Sequence, residues 1–483
     1  MRTQPLQAST PAAEGVDARG IGAFLEAIEA SPDIEPHSVM ILRHGRLIAA
    51  GWWAPYGPDR VHLLYSLSKS FTATAAGLAA AEGLLNLDEP VVSYFPEFAA
   101  DITDPGSRSI QVRHVASMAS GHLTDTWGMA VTRDPAEPVR GFLLIPPDRD
   151  PGTVFAYNQS ATYTLAAIVQ KLTGQSLTEY LRPRLLDPLG IRQAAWLQYP
   201  QGRDLGFSGL HAATDAIARL GQLYLNGGVW GGERLLPAWW AEATRAHISN
   251  AAEGWSSDWQ QGYGFQFWMS RHGFRGDGAY GQFCLVLPEQ DAVIAITANT
   301  EQMQAVLDAA WEHLLPAFGT VAAGDGKAHE AGPGDADLAR RLSSLELAPA
   351  PGGSRPGADA SALLGTPLTP QGGSCADQPS LTAVTIIEAG DESYAIHLAE
   401  DDWSLNLRCV PGRWTVSEPG APVPTAVSGG WTSWDTFTID VAFLETPHHL
   451  VVTCTLKDRA FAARWRTVPL HGGPLRSFQA PHN

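Results

Sequence analysis

The sequence predicts an α/β (α+β) fold, in which an antiparallel sheet flanked by terminal helices joins a mostly helical lobe and a C-terminal antiparallel β domain. The chain begins with a helical pattern and then a hairpin pattern, and after a long helical block it shows hairpin and helix again. Two hairpins from opposite ends of one segment most easily join in a single sheet covered by the two terminal helices. After these elements, alternating hydrophobicity predicts strands only.

The elements of this first part follow in chain order. Apolar residues recur at helical spacing over 17–30, and SVMILRHGRLIAAGWW then predicts two strands that turn at His44 and Gly45. Helical patterns dominate from 66 to about 246, interrupted by loops rich in Gly and Pro. Residues 283–297 predict a second hairpin, and 302–315 return to helical spacing.

The last third of the chain differs in composition. Residues 319–378 are rich in Gly, Pro, Ala and Ser, which predicts a linker with one short helix, ADLARRLSSLEL. Period-two alternation over 437–443, 450–456 and 461–465 predicts antiparallel strands with one buried face. We therefore predict a domain at 1–318, a linker at 319–378 and a β domain at 379–483, which is either barrel-like or a sandwich.

The composition excludes several classes of protein. The 483 residues are 45% hydrophobic and 17% charged, and they carry a formal charge of −18, as expected of a globular acidic protein. This charge repels phosphate groups, so we predict no nucleic-acid partner and no acidic membrane. No apolar stretch approaches eighteen residues, so a cytoplasmic protein is expected. Four cysteines without a CxxC motif predict buried thiols, and the oligomeric state is left open.

The first candidate for chemistry is a serine and lysine pair. The chain has only four lysines, and Lys69 alone has a serine, Ser66, three positions before it. Residues three apart share one face of a helix, so the two side chains are predicted to lie side by side. A lysine whose pKa is lowered by burial can act as the base for a serine hydroxyl. The alternative is an exposed lysine at a helix start.

The second candidate is Tyr157, which lies just before a helix that Ser160 can cap. A tyrosinate near a lysine ammonium can act as a general base for serine and later for water. The alternative for a tyrosine beside a helix is simple packing.

The third candidate is the glycine-rich run HGFRGDGAYGQFCLVLPEQD. Gly276, Gly278 and Gly281 form GxGxxG, but the run leads into a strand, so the dinucleotide-binding pattern is not met. Such glycines let a substrate approach backbone N–H groups, as in an oxyanion hole, although a tight hairpin entry is an equal alternative. No cofactor motif is present, and His448 and His449 are expected to face solvent rather than bind a metal.

Together the three motifs resemble the serine β-lactamase and penicillin-binding-protein superfamily. The likeness is greatest to its class C β-lactamase-related branch, which holds family VIII esterases, D-aminopeptidases and 6-aminohexanoate-oligomer hydrolases. It extends over about 11–318 and includes YSLSKSFTATAAGLAAAEGLLNLDEPV and GLHAATDAIARLGQLYLNGG. The resemblance implies a β-lactamase/transpeptidase-like fold for 1–318. It also implies Ser66 as the acylated nucleophile, Lys69 as its activating partner, and Tyr157 as the general base and acid.

The resemblance further implies an oxyanion hole formed by the backbone N–H groups of Ser66 and Ala279, with Gly278 before the latter. Two motifs depart from the family. Gln159 replaces the YxN asparagine that helps to hold the substrate amide. Where the family has KTG or HxG, the chain reads Arg275-Gly276-Asp277-Gly278.

The second departure bears on the substrate. The family's cation helps to bind a substrate carboxylate, and Arg275 or His272 is the candidate replacement. Asp277, in contrast, would repel a carboxylate, so β-lactams and C-terminal peptides are predicted to be poor substrates.

Three hypotheses follow for the function. The leading one is a serine hydrolase that cleaves a small ester or amide through an acyl-enzyme and needs no cofactor. The alternative is a β-lactamase or D-amino-acid peptidase. The second alternative is a catalytically inactive binding protein on the same scaffold, suggested by the altered second and third motifs. The natural substrate and the role of the β domain are left open.

Overall fold

The computed structural model describes residues 6–252, 254–319, 332–353 and 364–481. The chain forms two compact units. The first comprises Met1–Gly51, Leu63–Ser343 and Pro481–Asn483, and the second comprises Trp52–His62 and Ser344–Ala480. Much of the predicted linker lies outside the described residues, and the division of the chain at 318 and 379 stays a prediction.

The main sheet of the first unit joins both predicted hairpins. Glu35–Arg43 pairs antiparallel with Ala292–Asn299, which brings the two ends of the segment together. This pairing confirms the predicted fold class. Across the sheet, the strands of the described residues follow the order Gln7–Ala8, Arg46–Trp52, Glu35–Arg43, Ala292–Asn299, Gln282–Leu287, Phe274–Gly278 and Trp268–Met269.

Helices are the other main elements of the first unit. The α-helices described there are Ala18–Ala30, Ser68–Ala81, Pro105–Ser109, Val112–Ala116, Trp127–Arg133, Pro138–Leu143, Gln159–Thr173, Leu177–Leu181, Asp187–Leu189, Thr214–Leu225, Trp239–Ala243, Met303–Ala309, Leu315–Ala317 and Pro333–Ser343. Single turns of 3₁₀-helix lie at Ala12–Glu14, Tyr65–Leu67, Val91–Tyr94, Pro96–Phe98, Ser257–Trp259 and Pro288–Gln290, and turns of π-helix lie at Arg182–Leu186 and Ala310–Leu314. The short strands outside the main sheet are His62–Leu63, Ala194–Trp196, Leu210–Ala212, Val229–Trp230 and Glu233–Arg234.

Local sequence explains the first elements. The Asp17 side chain accepts a hydrogen bond of 3.0 Å from the Arg19 N–H and so caps the helix Ala18–Ala30. The hairpin turns where predicted, because His44 and Gly45 adopt φ values of 50° and 72°. Two consecutive residues in the left-handed region give the turn a twist that matches the flanking strands.

The second unit contains two antiparallel sheets that share one apolar core. This arrangement favours the sandwich over the barrel. The larger sheet has the order Thr369–Pro370, Ala460–Trp465, His449–Thr455, Thr436–Phe443, Thr425–Trp431 and Thr415–Val416, and only its outermost pair, Thr369–Pro370 with Ala460–Trp465, is parallel. The smaller sheet has the order Ala383–Glu388, Tyr394–Ala399 and Ser404–Cys409. Single 3₁₀ turns lie at Gln371–Gly373 and Leu475–Ser477.

The structure also tests what the sequence predicts for two histidines, the four cysteines and one short helix. The expectation that His448 and His449 face solvent is wrong, since both are fully buried. His449 Nδ1 lies 3.1 Å from a carboxylate oxygen of Asp440, so a charged partner inside the core replaces water. The four cysteines are free and buried, as predicted. The short helix is present at Pro333–Ser343, slightly earlier than the sequence predicts, and none of the described helices has both the length and the hydrophobicity needed to cross a membrane.

The helix Thr214–Leu225 packs closely on the main sheet and requires a glycine to do so. A Cβ atom at Gly221 would lie 2.6 Å from Val293 Cγ1 and 2.8 Å from Cys284 Sγ. We expect Gly221→Ala to lower the free energy of unfolding by about 1–3 kcal/mol, because two buried side chains must move. Urea denaturation followed by circular dichroism measures it.

Gly22 is the matched control, because it lies in the helix Ala18–Ala30 and a Cβ atom there would meet nothing within 4 Å. Gly22→Ala is expected to raise stability by up to about 1 kcal/mol through helix propensity. Equal effects of the two substitutions would show that close packing at Gly221 is not the cause.

Candidate active site

Ser66 lies at the start of a long helix. It occupies the 3₁₀ turn Tyr65–Leu67, which runs directly into the helix Ser68–Ala81. Tyr65 holds a φ of 47°, a left-handed conformation that is unfavourable for a bulky residue. Its ring packs against Tyr280 with centroids 5.3 Å apart, which helps to hold it there. Ser66 is half-buried and faces the end of the helix where free N–H groups gather.

Lys69 is buried, and each N–H group of its ammonium has a hydrogen-bond acceptor. Its Nζ donates hydrogen bonds to Ser66 Oγ at 2.9 Å, to Gln159 Oε1 at 2.7 Å and to the Phe207 carbonyl at 2.8 Å. Burial lowers the pKa of Lys69 to about 7, although the negative charges of Asp125 and Asp277 partly oppose this shift. Near neutral pH, a substantial fraction of Lys69 is therefore an uncharged amine that can accept the serine proton.

Tyr157 lies beside this pair. Lys69 Nζ is 4.6 Å from the centroid of its ring, and the ring stacks on Trp268 at 5.1 Å. Burial raises the pKa of Tyr157 well above its ordinary value, the charge of Asp277 raises it further, and hydrogen bonding with the side chains of Ser66 and Trp268 lowers it in part. Tyr157 is thus a neutral phenol at neutral pH, which differs from the tyrosinate considered from the sequence.

Asn158 and Gln159 have separate tasks. Asn158 is buried, and its Oδ1 accepts hydrogen bonds from the Ser160 N–H at 3.0 Å and from the Thr126 N–H at 3.2 Å. It therefore caps the helix Gln159–Thr173. Gln159, two residues after Tyr157, turns its side-chain oxygen to Lys69. The spacing of the YxN motif is kept, with a glutamine in place of the asparagine.

Gly278 brings the edge of the main sheet against the serine turn. A Cβ atom at Gly278 would lie 2.1 Å from the Leu64 carbonyl oxygen and 3.1 Å from the Leu67 nitrogen. Only glycine permits this approach. Ala279 follows the strand end and packs against a cluster that includes Tyr65. Ala279 therefore lies beside the turn that carries Ser66, and its role in an oxyanion hole stays a prediction.

Arg275 points into the protein rather than into solvent. It is fully buried, its Nε donates to Asp277 Oδ2 at 3.0 Å, and one terminal nitrogen donates to the Asp258 carbonyl at 2.8 Å and to Ser270 Oγ at 2.6 Å. The guanidinium carbon lies 4.4 Å from the Trp259 ring centroid. Because the side chain is fully buried, this structure leaves it no exposed surface for a substrate.

Asp277 and His272 complete the third motif. Asp277 is 6% exposed, and burial raises the pKa of its carboxyl while Arg275 and Lys69 lower it. His272 packs on Trp311, with ring centroids 5.1 Å apart. The structure brings Asp277 into electrostatic reach of Lys69 and Tyr157 and places His272 elsewhere.

Trp268 and Asp125 are site residues that sequence reasoning missed. Trp268 lies on an edge strand of two residues that pairs with Arg275, a register with no signal in the sequence. Its ring stacks on Tyr157 with centroids 5.1 Å apart, and its side chain lowers the pKa of both Tyr157 and Asp277. Asp125 is exposed, and its Oδ1 accepts a hydrogen bond of 2.9 Å from the Gln159 N–H.

The low pKa of Lys69 can be measured without a substrate. We expect the Lys69 ammonium to titrate near pH 7 in the folded protein, because burial disfavours its charge. Nitrogen-15 NMR of lysine-labelled protein resolves the signal, and its loss in Lys69→Met assigns it. In urea-unfolded protein the same group should titrate near the usual value of about 10.4. A folded-state value above about 9 would contradict the proposed environment.

The sequence is similar to one family model and to several characterised hydrolases. Residues 24–318 match the family model described as Beta-lactamase. A 6-aminohexanoate-dimer hydrolase of Paenarthrobacter ureafaciens is 30% identical over 292 residues, which are 54% of this chain and 74% of that protein. An esterase of Burkholderia gladioli is 26% identical over 216 residues, which are 39% of this chain and 54% of that protein.

A solved structure agrees with the fold. The crystal structure of a family VIII carboxylesterase has a TM-score of 0.50 and 17% identity, and the match covers 65% of this chain and 100% of that one. These findings confirm the superfamily, the fold class and the class of enzyme inferred from the motifs. The chain belongs to the β-lactamase family and is a serine hydrolase of that family.

Proposed function

We propose that the protein cleaves a small ester or amide through an acyl-enzyme on Ser66, with Lys69 as the base and Tyr157 as a proton relay. The contact of 2.9 Å between Lys69 Nζ and Ser66 Oγ carries the proposal, because it joins a nucleophile to an amine whose pKa burial has lowered. No metal or cofactor takes part in the proposed steps.

The first step forms the acyl-enzyme. Neutral Lys69 takes the Ser66 proton while Oγ attacks the substrate carbonyl carbon. The developing oxyanion accepts hydrogen bonds from the N–H groups of Ser66 and Ala279. The tetrahedral intermediate then collapses, and the proton on Lys69 passes to the departing alcohol or amine through the Tyr157 hydroxyl, which gives one proton and receives another.

The second step releases the product. A water molecule attacks the acyl carbon and transfers its proton to the now neutral Lys69, directly or through Tyr157. The bond to Ser66 Oγ breaks, and that oxygen recovers the proton. The raised pKa of Tyr157 favours this relay over a phenolate base, because a phenol can donate and accept one proton at the same time.

The substrate class is supported by the third motif and by the relatives. Asp277 interacts electrostatically with Lys69 and occupies the motif in which the family has a carboxylate-binding cation. Its negative charge disfavours acidic substrates such as β-lactams. The relatives named as an esterase and as a 6-aminohexanoate-dimer hydrolase support an ester or amide.

The covalent step can be tested with mechanism-based probes. A fluorophosphonate is expected to give one adduct, located by peptide mass spectrometry on Ser66, and p-nitrophenyl acetate and butyrate are expected to be turned over. Ser66→Ala should remove both the adduct and the turnover, and it should keep the wild-type circular dichroism spectrum. Full activity in Ser66→Ala would refute the proposed nucleophile, and labelling by a fluorescent penicillin at similar efficiency would favour the β-lactamase alternative.

The role of Lys69 is tested against another lysine. Lys69→Met is expected to lower kcat/KM by at least about a hundredfold, because general-base catalysis is typically worth that much. Lys171→Met is the control, since Lys171 is exposed on the helix Gln159–Thr173 and pairs with Glu97. Similar losses in both variants would argue against a specific role for Lys69.

The pH dependence follows from the same pKa. As the pH rises through about 7, Lys69 loses its proton and the reactive neutral form accumulates. We therefore expect kcat/KM for p-nitrophenyl butyrate to rise between pH 5.5 and 8 with a midpoint near 7. A flat profile, or one that falls with pH, would contradict a lysine base.

A further inference from the structure

The third motif contains a buried ion pair close to the serine turn. Arg275 and Asp277 lie two residues apart on the strand Phe274–Gly278 and form an ion pair of 3.0 Å. Alternate residues of a strand face the same side, which explains why the two side chains meet. Gly278, the next residue, touches the backbone of the serine turn. The pair is therefore held close to the reacting atoms.

The guanidinium of Arg275 is not fully satisfied by the protein. One terminal nitrogen has acceptors in the Asp258 carbonyl, the Met269 carbonyl and Ser270 Oγ, and Nε has Asp277. The other terminal nitrogen is buried and has no hydrogen-bond partner in the described residues. Because arginine keeps its proton in proteins, Arg275 carries a buried positive charge and, within the described part of the chain, one donor nitrogen without an acceptor.

Asp277 pairs with this cation and acts electrostatically on the catalytic groups. Its Oδ2 accepts a hydrogen bond from the Arg275 Nε–H, and the Trp268 side chain, which stacks on Tyr157, lowers the pKa of the Asp277 carboxyl. The charge of Asp277 is felt by Lys69 and by Tyr157. Both charges act on Tyr157, but Asp277 raises the pKa of its hydroxyl more than Arg275 lowers it, so the anion dominates at the catalytic groups.

We propose that Asp277 is a specificity-determining residue that masks the cation of Arg275. With the mask in place, the site favours uncharged substrates over those that carry a carboxylate near the scissile bond. Without it, the field of Arg275 extends into the site and attracts such a carboxylate. The proposal rests on the proposed function, because it concerns the substrate of the same site.

The proposal predicts a specific order of preference for acidic substrates among wild type, the single variant and the double variant. In wild type, the negative charge has the larger effect at the catalytic groups, so an acidic substrate is repelled. In Asp277→Asn the remaining charge is positive, so an acidic substrate is attracted. In Asp277→Asn/Arg275→Gln neither charge remains, and the preference should fall between the two. A simple loss of repulsion would make the single and double variants equal.

The experiment compares matched esters in each variant. The acyl pair is p-nitrophenyl butyrate and mono-p-nitrophenyl succinate, and the leaving-group pair is methyl 4-acetoxybenzoate and 4-acetoxybenzoate. The measured quantity is the ratio of kcat/KM for the acidic ester to that for the neutral ester. This ratio cancels differences in the fraction of folded enzyme. We expect it to rise at least about tenfold from wild type to Asp277→Asn in one pair or both, with the double variant in between.

Controls separate charge from shape. Asp277→Glu keeps the negative charge and should keep the wild-type preference, whereas Asp277→Thr is a second uncharged variant in case Asp277→Asn does not fold. Circular dichroism checks the fold of each variant. If the double variant does not fold, the ratio of kcat/KM values is measured for Asp277→Asn at increasing ionic strength instead. The ratio should then fall, because salt weakens the attraction of an acidic ester.

The outcomes distinguish this proposal from the proposed function. An unchanged ratio in folded Asp277→Asn, equal ratios in the single and double variants, or loss of hydrolysis of both neutral esters in folded Asp277→Asn would overturn the masking role. Failure of wild type to hydrolyse either neutral ester, together with absence of a Ser66 adduct, would instead overturn the proposed function.

Discussion

The structure of the site depends on the burial of one ammonium group. Lys69 is 1% exposed, and its three N–H bonds go to a serine, a glutamine and a backbone carbonyl from three separate parts of the first unit. A buried lysine is tolerated only when each donor has an acceptor. The serine turn, the start of the helix Gln159–Thr173 and the loop at Phe207 must therefore converge on one point. Burial that satisfies the donors also weakens the hold of Lys69 on its proton.

Close backbone contacts supply the second constraint. Gly276 and Gly278 face the serine helix and its turn at distances that leave no room for a Cβ atom. The strand edge therefore approaches the serine turn without a side chain in between. A strained residue, Tyr65, precedes the serine and is stabilised by aromatic packing with Tyr280. Backbone donors that are fixed before the reaction need no reorganisation to stabilise a developing oxyanion.

The third motif shows how one site can keep its chemistry while its charge changes. The cation of this motif is buried, because Arg275 stacks on Trp259 and pairs with Asp277. The ring of Trp268 stacks on Tyr157. The proposed nucleophile and base, Ser66 and Lys69, do not depend on the third motif, because their contacts come from other elements. The proposed substrate preference, in contrast, depends on the third motif.

The sequence by itself determined the fold class, both hairpins of the main sheet, the strands of the β domain and the proximity of Ser66 and Lys69, because these depend on periodicity and on spacing within one element. It also placed Gly278 and Ala279 before a strand. It did not determine the burial of His448 and His449, the inward direction of Arg275, the position of Trp268 or the protonation of Tyr157. Each of these depends on which residues the tertiary structure packs around a group, and no local pattern encodes the strand register and the surroundings that exclude water.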